Sequence, residues 1–151
     1  MKGYLMRIAI PLDKNMMFYN ENPYTAPKFA IYFIEGNHSD ISFKILKILD
    51  NPRYLDVSEG VEEIQKKCDC NIERQTDMQH ICEHYSILET IGNCSYLLAA
   101  KYCHNTYKTL KNGGIKIFKI PSIIKKTEIA IKNFLIGASF ANKIQSIHDA
   151  S

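Results

Sequence analysis

The chain has 151 residues, a formal net charge of +3 and a pI near 8.5. That length is one domain's worth, residues 1–151 as a single unit, and 46% apolar residues supply a core that needs neither metal nor disulfide to form. The mild positive balance, with lysines spread along the chain, argues against a nucleic-acid binder, and no uncharged run approaches the ~20 residues of a membrane span. Arg7, Pro11 and Asp13 interrupt any secretory apolar run after Lys2, so a cytoplasmic location is expected. There the five cysteines, an odd number, should be reduced thiols.

Residues 5–12 read as a first strand, with Ile8, Ile10 and Leu12 alternating and Pro11-Leu12-Asp13 marking its exit. A polar loop follows to Lys28, broken by Pro23 and Pro27. Residues 29–34 form an almost wholly apolar strand. The turn Gly36-Asn37-His38-Ser39 then folds a third strand, with Ile41, Phe43 and Ile45 alternating, back on it as a hairpin. In residues 50–75, Ser58 can cap a short helix through Val61 and Ile64, and residues 68–71 read as a loop.

Residues 76–92 give the clearest helical pattern. Thr76 and Gln79 fit a capping box, and Asp77 suits the positive helix start. Met78, Ile81, Cys82, Tyr85, Leu88 and Ile91 make one apolar stripe, and Gly92 stops it. Residues 95–100 are a fourth strand. A short helix opens at Asn105 or Thr106 and ends at Gly113-Gly114. Residues 115–120 are a fifth strand, ended by Pro121, and an amphipathic helix from Lys126 to about Phe134 closes the pattern, with residues 137–151 extending it or forming a tail. A hairpin followed by alternating helix and strand implies an α/β fold, a five-stranded mixed sheet covered by helices.

Three fragments in this order carry a family resemblance. They are Arg7-Ile8-Ala9-Ile10-Pro11 with Asp13; Ala26-Pro27-Lys28-Phe29-Ala30-Ile31-Tyr32; and Asn105, Leu110 and Lys111 leading into Gly114-Ile115-Lys116-Ile117-Phe118. Over roughly residues 6–137 the chain resembles the dinitrogenase iron–molybdenum cofactor-binding family, the small NifX-like and NifB C-terminal-like domains. The resemblance implies a three-layer α/β/α, ribonuclease-H-like fold. It also implies a nitrogenase-accessory role, binding or carrying iron–molybdenum or iron–sulfur precursors without a catalytic step. The partners would be a metal-cluster cargo and a cluster-assembly or acceptor protein. Where the family carries a His-Phe-Gly-basic motif, this chain has Asn22-Pro23-Tyr24-Thr25.

The residues themselves point to soft-metal chemistry, since thiolate and imidazole suit zinc, copper and iron–sulfur centres. Ligands in open α/β sheets gather outside the carboxyl ends of the strands. Cys103 and His104 follow the fourth strand and so lie at that edge. The helix leading into that strand starts at the same edge, with His80 in its first turn and His84 one turn on, a spacing that can chelate one metal but also occurs on solvated faces. Cys68 and Cys70 precede this helix and can fold back to its start. Cys68-Asp69-Cys70 offers two thiols one residue apart among polar neighbours, and it is the best single signal. The candidate ligands are therefore Cys68, Cys70, His80, His84, Cys103 and His104. The resemblance places the family's cluster site at the loop edge of Cys103 and His104. Cys82 reads as core on the apolar stripe, and Cys94 enters strand four from the opposite edge.

Other chemistries are thin. No P-loop, dinucleotide fingerprint or nucleophile elbow is present. Asp13 is the one carboxylate well placed for a two-metal nuclease, and the adjacent Cys103 and His104 make a poor nucleophile–base pair. Three functions follow. The first is a non-catalytic carrier or assembly accessory for an iron–molybdenum or iron–sulfur cluster, as monomer or homodimer. The second is a small regulatory or interaction domain with structural zinc. A thiol-dependent enzyme using Cys103 ranks last.

Overall fold

The computed structural model describes residues 4–37, 40–52, 68 and 70–150. The elements are β1 (Tyr4–Leu12), a 3-10 turn (Pro23–Thr25), β2 (Lys28–Asn37), β3 (Asp40–Asp50), α1 (Ile72–Thr76), α2 (Met78–His84), α3 (Ser86–Ile91), β4 (Tyr96–Ala99), α4 (His104–Asn112), β5 (Lys116–Lys119) and α5 (Thr127–Ala150). The helix expected from Ser58 lies outside the described residues, as do His38 and Ser39 of the expected hairpin turn.

The five strands form one mixed sheet in the order β3-β2-β1-β4-β5. The β1–β2 and β2–β3 pairs are antiparallel, and β1–β4 and β4–β5 are parallel. The hairpin closes with Asn37 opposite Asp40. Gly36 is required there. Its φ of +130° lies outside the range of L side chains, and a Cβ would run into the Asp40 carbonyl.

Alternation along the strands feeds two apolar clusters, one on each face of the sheet. Ile8, Ile10, Leu12, Ala30, Ile34 and Leu98 pack with Ala130, Ile131 and Phe134 of α5. Ala9, Phe29, Ile31 and Leu97 pack on the other face with Ile87 and Ile91 of α3 and Leu110 of α4. None of the helices, over the described residues, is long and apolar enough to cross a membrane.

The helix expected over residues 76–92 is two short ones, α2 and α3, with α1 ending at Thr76, and its buried face keeps only part of the expected stripe, Ile91 buried with Ile81 and Leu88 half-buried. Asp77, not Thr76, caps α2, accepting from the Gln79 N–H at 3.1 Å. Met78 is 69% exposed and Tyr85 38%, and Cys82 is exposed rather than core. The inward positions are His84, Ile87 and Ile91, so the apolar stripe continues upstream as imidazole.

Candidate metal centre

The carboxyl ends of β1, β3 and β4 share one edge of the sheet, because β1 is parallel to β4 and antiparallel to β2, which is in turn antiparallel to β3. Each delivers a piece of the site. After β1, Asn22 caps the Pro23–Thr25 turn. After β3, Asn51 clamps that turn, its side-chain amide donating to the carbonyls of Tyr24 at 3.2 Å and Ala26 at 2.8 Å. The Asn22 amide then donates to the Cys68 carbonyl at 3.0 Å, tying the cysteine loop to the β1 loop. Cys70 sits in the left-handed region at φ +50°, and Gln75 donates to its carbonyl at 2.9 Å. A non-glycine residue persists there only where its surroundings over-determine it. After β4, Cys103 is the N-cap of α4, its sulfur accepting from the Thr106 N–H at 3.4 Å.

These segments converge. The ligand atoms of Cys68, Cys70, His84 and Cys103 lie within 4.8 Å of one another, and all four residues are buried. The Cys68 and Cys70 sulfurs are 3.6 Å apart. His84 Nε2 stands 3.7 Å from the Cys68 sulfur, 3.6 Å from Cys70 and 3.3 Å from Cys103. A zinc ion with Zn–S of about 2.3 Å and Zn–N of about 2.05 Å sets tetrahedral edges of about 3.8 Å between sulfurs and about 3.6 Å from nitrogen to sulfur. The four edges just given match, and the two from the Cys103 sulfur to the other sulfurs are no longer than 4.8 Å. His84 is also in the right tautomer. Its Nδ1 is 2.8 Å from the His80 carbonyl, which can only accept, so Nδ1 carries the hydrogen and Nε2 presents its lone pair to the sulfurs.

No family model matches the chain, and no curated protein does. Among solved structures, the chain is similar to an NMR structure of a putative NifB protein from Thermotoga, described as belonging to the DUF35 family. The two share 18% identity over 87% of this chain and 89% of that one, at a TM-score of 0.43. The likeness is distant. The donor set stands on its own geometry: a group of three cysteines and one histidine able to hold a metal ion.

Electrostatics prepare one sulfur as an anion. The hydrogen bond with Cys68 pulls the Cys103 thiol far below its ordinary range, against burial, with the Thr106 hydroxyl and N–H adding to the lowering. The same contact, with burial, drives the Cys68 thiol far up, and burial leads the rise at Cys70. The start of α4 lies at the Cys103 sulfur, where a helix dipole favours a thiolate. Asn105 adds a neutral donor. Its amide gives one hydrogen to the Cys70 sulfur at 3.3 Å and one to the Arg74 carbonyl at 3.1 Å.

Of the six candidate ligands, four form this group and two stand apart from it. His80 Nε2 touches two of the sulfurs, at 3.5 Å from Cys68 and 3.2 Å from Cys70. His104 lies outside the group and is exposed. Cys103 is the N-cap with extended backbone, where neighbouring side chains point to opposite sides, so Cys103 facing the site turns His104 away. Cys94 packs in the core cluster with α3, away from the site, and burial raises its thiol to about 11.

Sequence reasoning missed Asn22, Tyr24, Asn105 and Thr106 as supports. Thr106 Oγ1 donates to Asn22 Oδ1 at 3.0 Å, closing a buried chain from α4 to the β1 loop. Tyr24 is 1% exposed and stacks on His84 with ring centroids 3.7 Å apart at 22°. Tyr24→Ala should empty that site and free one face of His84, costing about 3 kcal/mol. Tyr24→Phe, which keeps the ring, should cost about 1 kcal/mol, the worth of a hydrogen bond. Chemical denaturation of the two variants checks the order, and equal losses would remove the stacked ring as the cause.

Proposed function

We propose that this protein is a non-catalytic metal-binding protein whose site holds one thiophilic ion, zinc or iron, through the Cys68, Cys70 and Cys103 sulfurs and His84 Nε2. The match between four donor-to-donor distances and the edges of a single tetrahedron, with all four donors within 4.8 Å, carries this reading. Four protein ligands close the coordination sphere and leave no position for a substrate, the pattern of structural rather than catalytic sites. A cubane cluster places each thiolate on a different iron and so needs its ligands spread more widely than one ion does. With three thiolates and a neutral imidazole, a divalent ion leaves one net negative charge. The Thr106 N–H and the Asn105 amide face it.

A second reading has one observation in its favour. His80 is a fifth soft donor, beyond what a closed tetrahedral site needs. In that reading the chain, with a ribonuclease-H-like three-layer fold, carries an iron–sulfur or iron–molybdenum cargo to an acceptor or assembly protein. Both readings place the protein in the cytoplasm, where thiols stay reduced.

The test is metal and acid-labile sulfide content with the visible spectrum after anaerobic purification, beside a Cys68→Ala/Cys70→Ala double variant. One zinc or iron per chain, without sulfide and lost in the variant, supports the single ion. Iron with sulfide supports the cluster cargo. No metal in either protein after reconstitution overturns both.

A further inference from the structure

His80 repeats much of what His84 does, and the proposed four-ligand site does not use it. Its Nε2 reaches both the Cys68 and the Cys70 sulfur, and its ring centroid is 4.6 Å from that of His84. Its other nitrogen, Nδ1, faces the Glu83 carboxylate at 3.6 Å. That distance is a charge–dipole contact rather than a hydrogen bond, but it favours the tautomer with the hydrogen on Nδ1, which leaves the Nε2 lone pair on the side of the sulfurs. The Tyr24 hydroxyl, at 3.5 Å, also donates to Glu83. His80 thus sets one nitrogen on two sulfurs and the other beside a carboxylate.

The position of His80 differs from that of Cys103. The group of mutually close donors includes Cys103 and leaves His80 out, although both adjoin members of the same trio, Cys68, Cys70 and His84. Cys103 is 4% exposed. The His80 side chain is 13% exposed, and that of its partner Glu83 is 50% exposed. One potential fourth ligand therefore lies inside and the other toward solvent.

Resting on the single-ion reading, we infer that the site has two overlapping metal positions. The inner one is Cys68, Cys70, His84 and Cys103. The outer one is Cys68, Cys70, His84 and His80, a two-sulfur, two-nitrogen set for the same class of soft divalent ion. An ion enters at the outer position and passes to the inner one by exchanging one ligand, His80 for Cys103, while three stay bound. No redox change is involved. Loading delivers a thiolate at Cys103 in place of a neutral imidazole, and the proton of any Cys103 thiol leaves to solvent. The alternation gives a buried site a route for loading and release that a closed tetrahedron lacks.

The experiment uses cobalt(II) as the spectroscopic ion and zinc for exchange, on the full chain. The wild type should show charge-transfer bands of three thiolates. Cys103→Ser keeps an oxygen to cap α4 and so keeps the fold. It should still take up one cobalt, with charge transfer reduced to two thiolates. His80→Ala should keep the three-thiolate spectrum but pass zinc to a small chelator ~10-fold more slowly, the scale of effect of ligand-shell residues. A folded Cys103→Ser that takes up no cobalt, or a His80→Ala that exchanges at the wild-type rate, overturns the outer position and leaves the inner site standing. A wild type that takes up no ion overturns both.

Discussion

Chelating the metal from the loaded protein should lower its thermal midpoint by ~8–16 °C, with the fold retained. An ion held at a thousand times its dissociation constant stabilises by about 4 kcal/mol, and each kcal/mol moves the midpoint by ~2–4 °C in a chain of this length. The physical cause is a cross-link. The ion ties the cysteine loop to α2 and to the start of α4, segments that otherwise meet through weak contacts such as the Asn105 amide on the Cys70 sulfur. The two clusters on the sheet faces do not involve the ligands, so the metal-free chain keeps its core. The loss should be local, with faster amide exchange in α1 and α2 and little change in β1 and β2. Cys68→Ser/Cys70→Ser should show the lower midpoint from the start and gain nothing from added zinc. A loaded protein whose midpoint ignores the chelator would disprove the cross-link.

The strands were legible in the sequence because strands at a sheet centre announce themselves. Ile8, Ile10 and Leu12 alternate, residues 29–34 are apolar throughout, and both observations translate into buried faces. β3 was legible only in its first half. It runs on to Asp50, with Ile45, Leu46 and Ile48 half exposed along an edge, where alternation has little burial to enforce it.

The site was half legible for a different reason. Soft ligands are rare enough that five of them at one sheet edge can be noticed, and Cys68, Cys70, His80, His84 and Cys103 do meet there. The helix pattern failed at the same place. A count of apolar periodicity treats histidine as polar, so it chose the stripe of Met78 and Cys82. His84, 0% exposed, is the residue turned inward, because its two nitrogens find partners in a carbonyl and three sulfurs. Asn22, Asn105 and Thr106 carry no such signal. Their roles exist only once the fold brings together residues 84 apart, as with Thr106 and Asn22. Asn22 and Tyr24 do occupy the stretch where the resembling family carries its own loop motif, so position hinted at a role that residue type concealed.

Metal uptake near pH 7 should release two protons per ion, and affinity should fall by about 100-fold for each pH unit of acidification. The count follows from the three thiols. Cys103 is held well below its ordinary value of 9.0 by its hydrogen bond with Cys68, so it is already a thiolate. Cys68 and Cys70 are raised and still hold their protons, which the ion must displace. His80, lowered chiefly by burial, is neutral over this range and adds none. The stability of the metal-free chain divides by the same shifts. The lowered Cys103 contributes stability that is full above pH 9 and declines as the pH falls toward its folded value. The raised Cys68 and Cys70 contribute below pH 9 and lose that contribution as the pH rises through their folded values. The lowered His80 costs stability as the pH drops below 6.5. Loading replaces this balance with one sign, because every proton on a thiolate ligand competes with the ion. Titration calorimetry in two buffers of different ionisation heat measures the protons directly. Two released protons support a preformed Cys103 thiolate; three would show that the Cys68 hydrogen bond does not hold it ionised, and that the helix start and its donors are too weak to favour one sulfur over the others.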